Sequence, residues 1–133
     1  MHAGDTRDQM ARVAAWYAEE LAHTCASVLV PDRDYQTTWS RFMVGLAEPV
    51  TAESAQAALC DHHRIDSNII YEWPWFDYPA LAEVVEFDDP AADWKDLRTL
   101  VTHSLCIPFF PTLTRPEVTR VAAALAEVIS LRD

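Results

Sequence analysis

Five aromatic side chains crowd into eight positions, Tyr71, Trp73, Trp75, Phe76 and Tyr78, with Pro74 and Pro79 among them. Each proline lacks the backbone N–H that strand pairing needs, so Trp73 to Pro79 must be a loop. Rings of this size offer broad apolar faces, and tyrosine and tryptophan add a hydrogen-bonding tip. That is the chemistry of ligand pockets and protein interfaces. A small chain can hardly bury all five. They are therefore the candidate substrate- or partner-binding residues, the other reading being a lid folded back over the core.

Possible metal ligands gather at Cys60-Asp61-His62-His63. Neighbouring residues on a helix point about 100° apart, so these side chains cannot converge on one zinc ion unless the helix ends among them. His103 and Cys106 would complete such a site only if folding brought them close. The group reads as ordinary helix-end residues, and no metal is expected. Asp88 and Asp89, or Asp93 and Asp96, could form an acid–base pair or a magnesium site, but read more simply as solvated acids near helix starts. Cys25 and Cys106 sit in apolar surroundings and read as small core residues. The one lysine, Lys95, lies between Asp93 and Asp96 and reads as a solvated ion pair. No Ser-His-Asp or Cys-His arrangement can be picked out.

These groups are carried on 133 residues, 50% of them hydrophobic, enough to bury a core and consistent with a single domain over residues 1–133. The formal net charge is -11, from 21 acidic and 10 basic residues. Such a balance repels phosphates and anionic headgroups, so neither nucleic acid nor a membrane surface is the expected partner. The three cysteines are odd in number and widely spaced, which argues against a disulfide framework. No apolar run approaches the ~20 residues of a membrane span, and the polar start MHAGDTRDQM is no signal peptide. The expected location is the cytoplasm. Both glycines, Gly4 and Gly45, are isolated, which leaves no Gly-rich phosphate cradle.

Hydrophobic spacing places the elements. Met10, Val13, Ala14, Tyr17, Leu21 and Val28 form one helical stripe from Thr6 to about Val28, with Asp5 or Thr6 as cap. Pro31 to Asp34 reads as a turn, and Tyr35 to Leu46 as a strand rich in Thr and aromatic residues. Thr51 caps a helix through His62 that turns Ala55, Ala58 and Leu59 inward. Ser67 to Glu72 reads as a second strand. A short helix follows around Leu81, Val84 and Val85, and another opens at Asp89-Pro90 with Trp94, Leu97 and Val101 at helical spacing. Ser104 to Phe109 reads as a third strand, limited by Pro108. Thr114-Arg115-Pro116-Glu117 is a capping box that starts a helix burying Val118, Val121, Ala122, Leu125, Val128 and Ile129. The expected fold is α/β and two-layered: about three short, mostly antiparallel strands packed with four to five helices.

That order and punctuation resemble the C-terminal, small domain of the DegT/DnrJ/StrS family of PLP-dependent sugar aminotransferases. The segment Arg12 to Leu21 resembles the family's helix built on Arg, Ala, Tyr and Leu. Trp39 to Leu46 resembles the strand that follows it. Leu59 to Ala80 resembles a helix, a "G-I-x-x-x-x-x-Y" strand and a "P-x-x-x-x-P-x-Y" loop, with Arg64 at the usual glycine, then Ile65 and Tyr71. Ser104 to Thr114 resembles the "S-L-P-L-x-P-x-L-T" ending, with the expected "E-V-x-x-V" helix after it. The likeness spans nearly the whole chain.

The resemblance implies a domain that closes a substrate cleft against a large domain, and that large domain, with its aldimine-forming lysine, is missing here. An aminotransferase needs that lysine, an acid at the pyridine nitrogen and a phosphate cup. Trp75 also stands where the family commonly carries a His near substrate. No cofactor is therefore expected on this chain alone, PLP entering only through a partner large domain. The expected role is a small subunit or accessory binding protein of an aminotransferase-like system in amino-sugar or antibiotic biosynthesis. It would work with a protein partner, either a PLP large-domain subunit or a second copy, and possibly with a small-molecule ligand. The alternative is a repurposed stand-alone biosynthetic enzyme using the aromatic loop with Cys60, His62, His63 or His103.

Overall fold

The fold was obtained as a computed structural model, which describes residues 3–24, 26–29, 38–74, 77–82 and 94–130. Helix α1 (Ala3–Leu21) is followed by strands β1 (Ser27–Val28) and β2 (Phe42–Gly45) and by helix α2 (Ala52–His63). Then come a single turn, α3 (Pro79–Ala82), helix α4 (Lys95–Thr102), strand β3 (Ser104–Ile107) and helix α5 (Arg115–Ser130). The strands form one antiparallel sheet in the order β1-β2-β3, with Phe42 opposite Ile107 and Val44 opposite Leu105. Among the described residues, five helices and an antiparallel three-stranded sheet make the α/β small domain that the hydrophobic pattern predicts.

Directly opposed residues share a face, so Phe42, Val44, Leu105 and Ile107 all point the same way. All four are buried. Against them pack Val13, Tyr17 and Leu21 of α1, Ala55 and Leu59 of α2, and Val118, Leu125 and Val128 of α5, in one cluster. The Tyr17 ring lies 5.0 Å from that of Phe42, and its hydroxyl donates to the Pro108 carbonyl at 2.7 Å. Burial, and to a smaller extent the charge of Glu117, pushes the Tyr17 phenol well above its ordinary pKa, so it stays a neutral donor. Trp39 and Phe109 extend this aromatic cluster beyond Phe42.

Helix ends follow the local chemistry. Thr51 and Ser54 bond reciprocally through side chain and backbone and start α2. At its other end Arg64 takes the left-handed conformation, φ 55°, and sends its N–H back to Cys60. The resembled family carries glycine at this position, and glycine would occupy it without a steric penalty. Glu117 accepts from both the N–H and the hydroxyl of Thr114, completing the cap of α5. Arg115 then clamps α5 to α1, donating to Glu19 at 2.7 Å and Glu20 at 3.0 Å, with Trp16 lying beneath its guanidinium.

Four expected elements differ in the structure. The first helix stops at Leu21 rather than about Val28, because the Thr24 hydroxyl donates to the Leu21 carbonyl and accepts from the Ala26 N–H. That frees Ser27–Val28 to pair as an edge strand, and Gly45 makes the approach possible: a Cβ there would lie 2.5 Å from the Ser27 hydroxyl. Ser67 to Glu72 is not a strand. Only Asn68 pairs, through two 2.9 Å bonds with Cys106, and Pro108 has no N–H for the next rung. Among the described residues the strand expected over Tyr35 to Leu46 covers Phe42–Gly45, and the one expected over Ser104 to Phe109 stops before Pro108. Residues 31–37, with the Pro31 turn, and residues 83–93, with the Asp89-Pro90 helix start, lie outside the described residues, as does Cys25. No helix of the described residues is long and apolar enough to cross a membrane.

Candidate functional site

The second face of the sheet is covered differently. Met43 and Cys106, opposite one another, point away from the main core. Beside them lies α4, whose residues Leu97 and Val101 are only half-buried and whose Leu100 is 47% exposed. An apolar cleft of about 200 Å³ remains between Met43, Cys106, Ile70, Tyr71, Leu97 and Leu100. A wider one of about 460 Å³ adjoins it, bordered by Ala52, Glu53, Gln56, Tyr71, Glu72 and Trp73.

Tyr71 and Trp73, the first rings of the aromatic stretch, border this groove. Tyr71 is 63% exposed, Trp73 50% and Tyr78 39%, while Pro74 between them is buried. Trp73 and Tyr78 meet edge to face at 5.7 Å, so the rings brace one another instead of collapsing onto the core. The turn is closed by the Asp77 N–H donating to the Pro74 carbonyl at 2.9 Å, and Asp77 pairs with Arg98 of α4. Tyr71, Trp73 and Tyr78 are thus brought together at the surface. Trp75 and Phe76 lie outside the described residues.

A third cleft, about 560 Å³, opens at the other end of the sheet and is more polar. Ser40, Arg41, Gln56, Asp66, Ser67 and Asn68 border it, with Pro108 and Phe109 opposite. Gln56 holds its edge by donating to the Ser67 carbonyl at 2.8 Å. The hydroxyl of Ser67 is buried without a partner. Sequence reasoning missed this cleft, because Arg41, Gln56 and Asp66 are far apart in the chain and carry no local pattern.

The Cys and His residues are not gathered. Cys60, Asp61 and His62 are exposed on the last turn of α2, while His63 faces Glu127 at 3.8 Å. His103 sits elsewhere, its Nδ1 donating to the Val50 carbonyl at 2.6 Å and its Nε2 3.9 Å from Glu48. Burial pushes the Cys106 thiol up, against the opposing pull of Arg41, which keeps it protonated and poorly nucleophilic. Among the described residues no three His, Cys, Asp or Glu side chains come together as a metal site. Lys95, exposed at the start of α4, borders none of the three clefts, so it does not fit the part of an aldimine-forming lysine there.

The same arrangement of helices and strands recurs in solved enzymes. A sugar aminotransferase of Streptococcus pneumoniae in its PMP form superposes on 95% of this chain with a TM-score of 0.79 at 15% identity. The fold is that of part of a sugar aminotransferase. A DegT/DnrJ/StrS-type aminotransferase of Brucella abortus matches 91% of the chain, with a TM-score of 0.72 and 18% identity. S. venezuelae DesV, solved with a ketimine intermediate, matches 92%, with a TM-score of 0.74 and 24% identity. In each case the chain spans only about a third of the enzyme, 31%, 30% and 31% respectively. No family model and no curated protein sequence matches the chain.

Proposed function

We propose that the chain is the small-domain component of a PLP-dependent, aminotransferase-like system of amino-sugar or antibiotic biosynthesis in the cytoplasm. It works as a small subunit or accessory protein and does not transaminate by itself. The observation that carries this reading is the correspondence of nearly the whole chain to about a third of sugar aminotransferases, with an apolar groove beside α4 on that third. A partner that bears the cofactor supplies the Schiff-base chemistry. This chain's contribution is to bind and to exclude water: Tyr71, Trp73, Trp75, Phe76 and Tyr78 form the contact rim, and the apolar groove seats the partner. The exposure of three of these rings supports the assignment, since burying rings of this kind is what typically dominates interface energy. The scatter of Cys60, His62, His63 and His103 gives no support to an independent catalytic centre.

An add-back assay tests this. A native extract depleted of the chain is expected to lose an amino-transfer activity that the purified chain restores, while the purified chain alone, given PLP and an amino donor, shows none. Amino transfer by the chain alone, abolished in Lys95→Ala, would contradict the proposal.

A further inference from the structure

The two clefts beside α4 share Tyr71 and Val101 and run together as one groove. Its inner part is apolar, with Met43, Ile70, Leu97 and Leu100 around it. Its outer part changes character: Glu53, in the first turn of α2, and Glu72 border it next to Trp73. Among the described residues neither carboxylate has an ion-pair partner. We infer that the groove receives a protein segment carrying an aliphatic anchor and, about one helical turn away, an arginine or lysine.

The aliphatic side chain fills the inner part, where Met43, Ile70, Leu97 and Leu100 already gather apolar surface. The cation sits over the outer part, paired with Glu53 and Glu72 and able to rest on the Trp73 ring, whose face attracts positive charge. Charge excludes other occupants. A second copy brings a net charge of -11 against the same -11, and an acidic partner meets the two unpaired carboxylates directly. The exposed apolar surface also continues outside the groove to Tyr78 and Leu81, a breadth that suits a protein contact better than enclosure of a small amine. The inference rests on the proposed docking role of this face and adds the chemistry of what docks there.

The test uses the whole chain and two short synthetic helical peptides, identical except that one turn beyond a leucine pair one has arginine and the other glutamate. The arginine peptide is expected to bind about tenfold or more tightly than the glutamate peptide. The pair of changes Glu53→Gln and Glu72→Gln removes that preference while lowering thermal melting only slightly, through loss of the first-turn acid of α2, and Leu100→Ala weakens both peptides. Phenethylamine and sedimentation of the chain alone complete the experiment. Equal binding of the two peptides, binding of neither, a preference that survives the carboxamide variants, saturation by phenethylamine instead of peptide, or a dimer that closes the groove would each overturn the inference. Restored amino transfer with the Glu53→Gln and Glu72→Gln variant as active as wild type would sink this inference and leave the proposed function standing. Peptide selectivity without any add-back activity would do the reverse.

Discussion

Arg64 shows how one residue can betray a family pattern. A side chain at φ 55° crowds its own backbone, which costs roughly 1–2 kcal/mol relative to glycine, offset in part by glycine's greater freedom in the unfolded chain. Arg64→Gly is therefore expected to stabilise the fold by ~0.5–1 kcal/mol, read as a higher denaturant midpoint with unchanged slope. A destabilised variant would show that the arginine side chain contributes packing or charge that outweighs the strain. At this scale the sequence was partly legible. The crowding of Tyr71, Trp73 and Tyr78 reads either as contact rings or as a lid over the core, and the structure leaves all three exposed. Arg41, Asp66 and Asn68 could not be seen as neighbours, because long-range pairing, Asn68 with Cys106 and Phe42 with Ile107, brings their segments together.

Among the elements, α2 and α5 were legible because cap and stripe agreed: Thr51 and Thr114 begin them, and apolar residues at helical spacing are buried. The misread elements are those where a single polar bond decides. Thr24 ended α1 early, and Pro108 reduced Ser67 to Glu72 to one rung. Helix α4 was found by spacing, yet none of its residues is buried. Amide hydrogen exchange should accordingly be fastest in α4 among the four helices longer than one turn and slowest in α5. Protection of α4 equal to that of α5 would mean that its apolar face is already covered.

Helix α5 has its own acid sensitivity. The Thr114 hydroxyl, and then its backbone N–H, hold the Glu117 carboxyl below its ordinary pKa. A depressed folded-state pKa contributes stability above the ordinary glutamate value that is lost as pH falls through the folded one. Glu117→Gln should therefore melt lower at neutral pH and lose less of its remaining stability on acidification below the ordinary glutamate value. A parallel pH dependence in the two proteins would contradict the cap assignment.

For the whole molecule, the sheet has one face closed by α1, α2 and α5 and another left with a groove, and the fold corresponds to part of an enzyme whose remaining part has no counterpart among these residues. We propose that a cofactor-bearing partner completes it at the aromatic rim. The most direct measurement is the PLP content of the native complex purified on the wild-type chain and on Trp73→Ala, with melting followed for both. The account predicts PLP in the wild-type complex and association weakened by about 30-fold in the variant, as expected for loss of an interface ring worth ~2 kcal/mol, with melting nearly unchanged. PLP retained equally by both, or found bound to the isolated chain through Lys95, would contradict it.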